Sequence, residues 1–346
     1  MSTNYKPWEI SINDFFSLKT EEEKLRFLIN FAVLAPSSHN SQPWYFSVKD
    51  NSVLVFPDLE RALRVGDKQN RLLYISIGCA IRNIFVAADF YNLQPEITFP
   101  DNQNTPNCAA TISFSGDFNS PRSSPGFLND HLIFSIMERS VNRGKYKPMM
   151  PPKSFLEKIE SLSSSNLKIF LVSDAQRKNN LAELSVESSV ELMESNKFRT
   201  ELSHYVKNNL TKSPLGIPVF GMGIPTPLSF FVSTLIKHLN MEKLTKMATE
   251  RILKDHTPVF LVFATKTDSV HDWIQVGQSY QQIALMAEKE KNKTAVWASP
   301  IVSERFRRNV QDVLGTSLKP QLVSRLGYPE KKQPHSPRLS ASQVIR

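Results

Sequence analysis

Cysteine is nearly absent: the 346 residues contain two, Cys79 and Cys108, with neither zinc-ligand spacing nor the number needed for a disulfide framework. Both read as small buried residues of a reducing cytosol. No uninterrupted apolar run reaches membrane-spanning length, and Met1–Glu9 lacks the basic start and apolar stretch of a secretory signal. A cytoplasmic chain without a membrane partner is expected. His-Glu-x-x-His, Gly-x-Ser-x-Gly and the P-loop are all missing, and the seven histidines do not cluster. Gly221-Met222-Gly223 has neither a preceding strand nor the third glycine of a dinucleotide fingerprint. The formal charge of +9 is scattered, with Lys289–Lys293 reading as a solvated helix end, and no finger, basic zipper or RNA-binding motif accompanies it. No nucleic-acid partner is expected; a phosphate-bearing cofactor would use only a few of these charges.

What is present is concentrated in residues 35–46, Ala-Pro-Ser-Ser-His-Asn-Ser-Gln-Pro-Trp-Tyr-Phe. Thr20-Glu21-Glu22-Glu23 is a capping box, and Leu25, Leu28, Ile29, Ala32 and Val33 recur at helical spacing behind it. Pro36 ends that helix. Trp44, Phe46 and Val48 alternate with Tyr45 and Ser47, the pattern of a half-buried strand, and Val53–Phe56 returns beyond an Asp50-Asn51 turn. Between helix and strand, Ser37, Ser38, Asn40 and Gln42 offer hydroxyls and carboxamides. This is a neutral donor and acceptor surface with no evident proton-transfer machinery.

Farther along, Leu72–Leu93 reads as a helix apolar on every side, hence central. Ala110, Ile112 and Phe114 alternate as a strand, and Gly116–Gly126 has the composition of a linker. After a helix around Asp130–Met137 come Arg139-Ser140-Val141-Asn142-Arg143 and Pro151-Pro152. Guanidinium forks beside a hydroxyl suit a phosphate. Residues 213–228 hold four prolines, three glycines and Val219, Phe220, Met222 and Ile224. An apolar irregular loop of this kind commonly covers something. Val259–Ala264 reads as a buried strand, Trp273–Ala287 as a second central helix, and Leu322–Tyr328 precedes a tail with Ser336-Pro337-Arg338.

The string at 35–44 resembles the signature Ala-Pro-Ser-Ser-x-Asn-x-Gln-Pro-Trp of the FMN-dependent nitroreductase family. The 139–152 segment resembles that family's opening, Arg-Ser-x-Arg then Pro-Pro, with one extra residue before Arg143. The ending resembles its Leu-Gly-Tyr and Ser-Pro-Arg tail. The resemblance implies an α+β nitroreductase-like fold in two tandem lobes forming an internal pseudo-dimer, 1–118 and 127–346, and therefore a monomer. It implies flavin contacts from Pro36, Ser37, Ser38, Asn40 and Gln42, and phosphate contacts from Arg139, Ser140, Arg143 and Arg338. A ring-edge contact near Ser299 and a lid at 213–228 follow from it too. Each lobe lacks what the other keeps: no Arg-Ser element precedes the first helix, and Leu162-Ser163-Ser164-Ser165-Asn166-Leu167 replaces the signature after the second. The resemblance thus implies one FMN, with NAD(P)H as donor and a small nitro or quinone substrate; alternatively, an FMN-sequestering protein with little turnover.

Overall fold

The computed structural model describes residues 3–99, 107–118 and 132–346. Most of the expected linker, and the lobe boundary within it, lie outside these residues. The first half runs α1 (Glu21–Ala32), β1 (Trp44–Lys49), β2 (Ser52–Pro57), α2 (Arg71–Phe90), β3 (Gln94–Thr98) and β4 (Ala110–Ser115). The second half runs α3 (Lys153–Glu160), β5 (Leu167–Val172), α4 (Ala175–Glu194), α5 (Asn196–Tyr205), α6 (Thr226–His238) and α7 (Glu242–Glu250). It continues through β6 (Val259–Thr265), α8 (Val270–Lys289), β7 (Lys293–Val296), α9 (Glu304–Leu314) and β8 (Lys319–Gly327).

Local chemistry sets the element ends. The capping box forms at α1, where the Thr20 hydroxyl accepts from the Glu23 amide at 3.1 Å and Glu23 accepts from the Thr20 amide at 2.9 Å. Asp50 and Asn51 both adopt positive φ, as a two-residue hairpin turn demands, and Lys49 pairs with Ser52 across it. Ser269 and Asp272 build a second capping box on α8.

Two antiparallel four-stranded sheets result, ordered β1-β2-β4-β3 and β5-β6-β8-β7. The strand order repeats, and the long helix of each half falls between its second and third strands. The α+β class expected from the sequence is what the structure has. Three of these strands escaped the sequence reading, β7 among them. β3 carries Pro95 and sits on a sheet edge, where a missing amide costs no ladder bond. β5 begins inside the serine-rich stretch, at Leu167.

The repeat is closed by α2 against α8. A Cβ at Gly78 would lie 2.1 Å from the Ile274 carbonyl oxygen, and one at Gly277 would lie 2.0 Å from that of Ile75. The contact is reciprocal, as at a two-fold interface. Polar pairs flank it in the same relation: Arg82 Nε donates to Gln282 Oε1 at 2.7 Å, and Gln281 Nε2 to Asn83 Oδ1 at 2.6 Å. Twenty residues of mostly apolar α2 are long enough to cross a bilayer, a match the sequence reading did not anticipate, yet α2 is buried here as a core helix. One apolar core draws on both halves, from Leu25 to Phe263, and takes in Leu339 and Val344 of the tail. That tail returns to the first sheet, where Ile345 bridges Phe46 in parallel and the Arg346 amide donates to the Phe46 carbonyl at 2.8 Å.

Lys293, expected in a solvated helix end, is instead a buried strand residue ion-paired with Glu288. Gly277→Ala should lower stability by about 1–3 kcal/mol or more, because the new methyl meets backbone rather than a movable side chain. Urea denaturation measures this; an unchanged midpoint would contradict the close approach.

Candidate functional site

The loop after α1 is held in an unusual backbone. His39, Asn40 and Gln42 all take positive φ, at 52°, 54° and 49°. Non-glycine residues in this region are uncommon, and three in four positions persist only where surroundings fix them. The fixing contacts are visible. Asn40 Nδ2 donates to the carbonyls of Gly216 at 3.0 Å and Pro337 at 2.9 Å, while its Oδ1 accepts from Arg338 Nη1 at 2.6 Å. Gln42 Nε2 donates to the Pro214 carbonyl at 2.7 Å, and its Oε1 accepts from the Leu339 amide at 2.9 Å. Both carboxamides are therefore clasps that bind the tail and residues 214–216 to the loop. The Ser37 hydroxyl accepts from the Gln42 amide at 2.9 Å. Pro36, Ser37 and Ser38 remain half-buried at the surface of this loop.

Against it stands a concentration of positive charge. Arg139 follows the short helix Ile133–Glu138 and is 3% exposed; Arg338, in the tail, is 4% exposed. Both guanidiniums donate to one oxygen, the Leu34 carbonyl, at 3.0 Å from Arg139 and 3.4 Å from Arg338. Among the described residues neither ion-pairs with a carboxylate; Glu288, which acts on Arg139, is held by Lys293. Burial lowers the pKa of both arginines, and the charge of Arg139 pushes Arg338 down further. Arg139 Nε, Arg338 Nε and the Ser140 hydroxyl are buried without a hydrogen-bond partner. Two buried like charges with three unanswered polar atoms are costly, and an anion is what would relieve them.

The other expected residues divide. Arg143 is exposed and acts on His39, which burial first, and then this charge, push down to about 4. It therefore belongs beside the loop. Ser299 does not join the cluster through its side chain. Its hydroxyl donates to the Ser185 carbonyl at 3.2 Å and meets Ser188 and Ser189 of α4 at 3.0 and 2.9 Å. The corresponding loop of the second half is tied to its own helix: Asn166 Nδ2 donates to Asp272 Oδ1 at 2.6 Å, and Gln275 Nε2 to the Ser164 hydroxyl at 3.2 Å.

The apolar loop, expected as a lid, packs on a small core of its own. Val219 is fully buried with Phe198, Val206, Val232 and Ile236, and Ile224 packs on that same small core. Phe220 is half-buried, and the Met222 side chain lies outside the described residues.

An element missed from sequence is the N-terminal 3₁₀ segment Thr3–Trp8. Asn4 Nδ2 donates to the carbonyls of Thr211 and Ser213, both at 3.1 Å, and its own carbonyl accepts from the Arg338 amide at 2.8 Å. Trp8 stacks on His335 with centroids 4.0 Å apart, lies 5.0 Å from the Arg338 guanidinium and donates to the Ser336 carbonyl at 2.9 Å. A tryptophan in an otherwise polar start was the one available signal.

No protein-family model matches the chain. Curated proteins do, over short stretches. One from Mycobacterium tuberculosis, named "Putative NAD(P)H nitroreductase Rv3131", is 35% identical over 82 residues, 23% of this chain and 24% of that protein. Another, "Putative NAD(P)H nitroreductase acg" of the same species, is 31% identical over 91 residues, 26% of this chain and 28% of that one. Over those stretches the chain is nitroreductase-like. The matches span about a quarter of these relatives' length. Solved structures that match part of the chain include an FMN and NADPH-dependent nitroreductase, NfnB from sphigopyxis sp., with 13% identity and a TM-score of 0.42 over 62% of this chain and 97% of that one. They also include the NADPH:FMN oxidoreductase of Vibrio harveyi complexed with NAD+, with 15% identity and a TM-score of 0.38 over 62% of this chain and 76% of that one. Likeness at that level decides nothing about activity.

Acid should loosen this region. Burial, then Arg139, Arg338 and Lys293, push His335 down to about 4, as His39 is pushed down; Asp67 is pushed up to about 6 by burial. Between about pH 6 and 4 the unfolded chain binds two histidine protons that the folded chain refuses, against one aspartic proton that the fold retains. One proton more on the unfolded chain means stability falls as pH drops through this window. Thermal unfolding from pH 7 to 4.5 checks it: Tm should decline, and more shallowly in His335→Gln. A slope unaltered in both His335→Gln and His39→Gln would refute the assignment.

Proposed function

We propose that the chain is a fused pair of nitroreductase-like halves with one FMN site, acting as an oxidoreductase with NAD(P)H as electron donor and a nitro or quinone compound as acceptor. The observation that carries this reading is the buried, uncompensated Arg139–Arg338 pair beside the 36–42 loop, with the Ser140 hydroxyl unanswered. A phosphate monoester fits that donor set: dianionic, rich in acceptors and able to take bidentate guanidinium bonds. Arg143 adds positive charge on the His39 side. The repeated sheet order and the reciprocal glycine contact support an internal pseudo-dimer, and the second-half loop, bonded to α8, supports a single site.

A bound flavin would supply the redox chemistry between NAD(P)H and the acceptor. The chain's own part is placement. Arg139, Ser140 and Arg338 hold the phosphate. The strained 36–42 backbone presents its serines and amides to the ring, and Arg143 makes the surroundings positive. The buried thiols Cys79 and Cys108 suit a reducing cytoplasm.

Purified protein should carry close to one FMN per chain, released by acid and measured by absorbance; two equivalents would sink the one-site reading. Arg139→Ala and Arg338→Ala should each weaken FMN binding by about tenfold or more, since a charge-assisted hydrogen bond contributes roughly 1.5–3 kcal/mol. Undiminished affinity in both, by fluorescence titration, would place the phosphate elsewhere.

A second reading, sequestration of FMN under a lid, is favoured by the anchoring of residues 214–218. Gly216 exchanges hydrogen bonds with Asn40, and Ile217–Pro218 pairs in parallel with Val206–Lys207. Gly216 has φ 91° and would place a Cβ 2.4 Å from the Tyr205 carbonyl oxygen, so Gly216→Ala should unseat the loop base. Under sequestration, NADPH bleaches the bound flavin slowly in the wild type and faster in Gly216→Ala under anaerobic conditions. Rapid bleaching of the wild type, unchanged in the variant, favours the enzyme.

A further inference from the structure

Seven of the fourteen large apolar side chains that stand exposed among the described residues fall between Leu228 and Met247. The concentration has a structural cause. Helix α6 buries Ser229, Val232 and Ile236, and turns Leu228, Phe231 and Leu235 outward at i, i+3 and i+7, with Leu239 just past its end. These are 59%, 62%, 42% and 50% exposed. Helix α7 packs on α4 and leaves Leu244 and Met247 open, the latter at 70%. Monomeric proteins rarely leave such runs without a use.

The charges on the same elements have one dominant sign. Lys237 and His238 close the last turn of α6, and exposed Lys243 and Lys246 alternate with Leu244 and Met247 on α7; the two carboxylates of α7, Glu242 and Glu250, are half-buried, and Glu250 pairs with Lys254. An open cleft of about 450 Å³ beside α6 is lined by Phe230, Lys207, His204 and the polar Asn208 and Ser233. Leucine and phenylalanine on one face, with lysines at the rim, are what a helix lying in a headgroup layer requires. A second copy of this chain would bring lysines against lysines, and the fold already encloses the reciprocal contact of its two halves. No residue of this face takes part in the arginine cluster.

We propose that the α6–α7 face docks on an anionic lipid bilayer, with Leu228, Phe231, Leu235 and Met247 entering the headgroup boundary and Lys237, Lys243 and Lys246 meeting lipid phosphates. The expectation of no membrane partner rested on the lack of a spanning run, which a surface-lying helix does not need. Lysines near such a surface each add attraction that salt screens.

Co-sedimentation of the full chain with vesicles of phosphatidylglycerol mixed into phosphatidylcholine tests it, with pure phosphatidylcholine vesicles alongside. Binding should appear on the anionic vesicles, weaken with salt, and fall by about tenfold or more in the double variant Phe231→Ser, Leu235→Ser. Lys243→Glu with Lys246→Glu should lose binding to anionic vesicles specifically. All four positions are exposed, so the variants should keep the wild-type Tm and flavin content. Three outcomes overturn the proposal: no binding to anionic vesicles, binding untouched by both double variants, or a dimer by light scattering that Phe231→Ser, Leu235→Ser dissolves while vesicles capture nothing.

Discussion

Everything in this molecule is referred to the close approach of α2 and α8. At Gly78 and Gly277 one helix's carbonyl occupies the space where the other would carry a side chain, and the relation holds in both directions. Backbone-to-backbone contact cannot be relaxed by choosing another rotamer, so it fixes separation and register together. The two sheets hang from these helices, and the last turn of α1, from which the loop departs, is fastened to α2 through Asn83, whose amide donates to the Phe31 carbonyl at 2.8 Å. The same Asn83 accepts from Gln281. A shift of one half against the other would therefore be felt at once in the loop.

The candidate site inverts the logic of that core. There, Arg82, Asn83, Gln281 and Gln282 pair with one another across the helices; here Arg139 and Arg338 converge on a single carbonyl and, among the described residues, ion-pair with no carboxylate. A chain selected only for stability would have placed an acid nearby or kept the arginines apart, since desolvating like charges is expensive. Their arrangement makes the folded protein electrostatically incomplete. It also makes any bound anion a contributor to stability as well as a ligand.

Much of this was legible in the residues. The Thr20 capping box, the hairpin turn and the apolar periodicity are local signals, and they place α1, β1, β2, α2 and α8. The composition of residues 35–46 points to the loop that the structure makes the meeting place of both halves. What could not be read was long-range. Nothing near Asn40 or Gln42 announces that their carboxamides clasp Gly216, Pro214, Pro337 and Leu339, because those partners are distant in the chain. Val219 and Ile224 carry the same apolarity whether they cover a ligand or fill a small core, so composition alone could not separate the two. Nor does anything beside Ser299 announce that its hydroxyl is tied to Ser185, Ser188 and Ser189 of α4.

The Asn40–Arg338 contact joins residues 298 positions apart. During synthesis at about 5–20 residues per second, the loop would leave the ribosome roughly 15–60 s before its arginine is even translated. In that interval the loop can be held by Ser37, Pro214 and Gly216 but not yet by Pro337, Arg338 and Leu339, so its full set of clasps belongs to the finished chain and not to the nascent one. The first half can acquire its sheet early. The charged clasp is the last thing the protein completes.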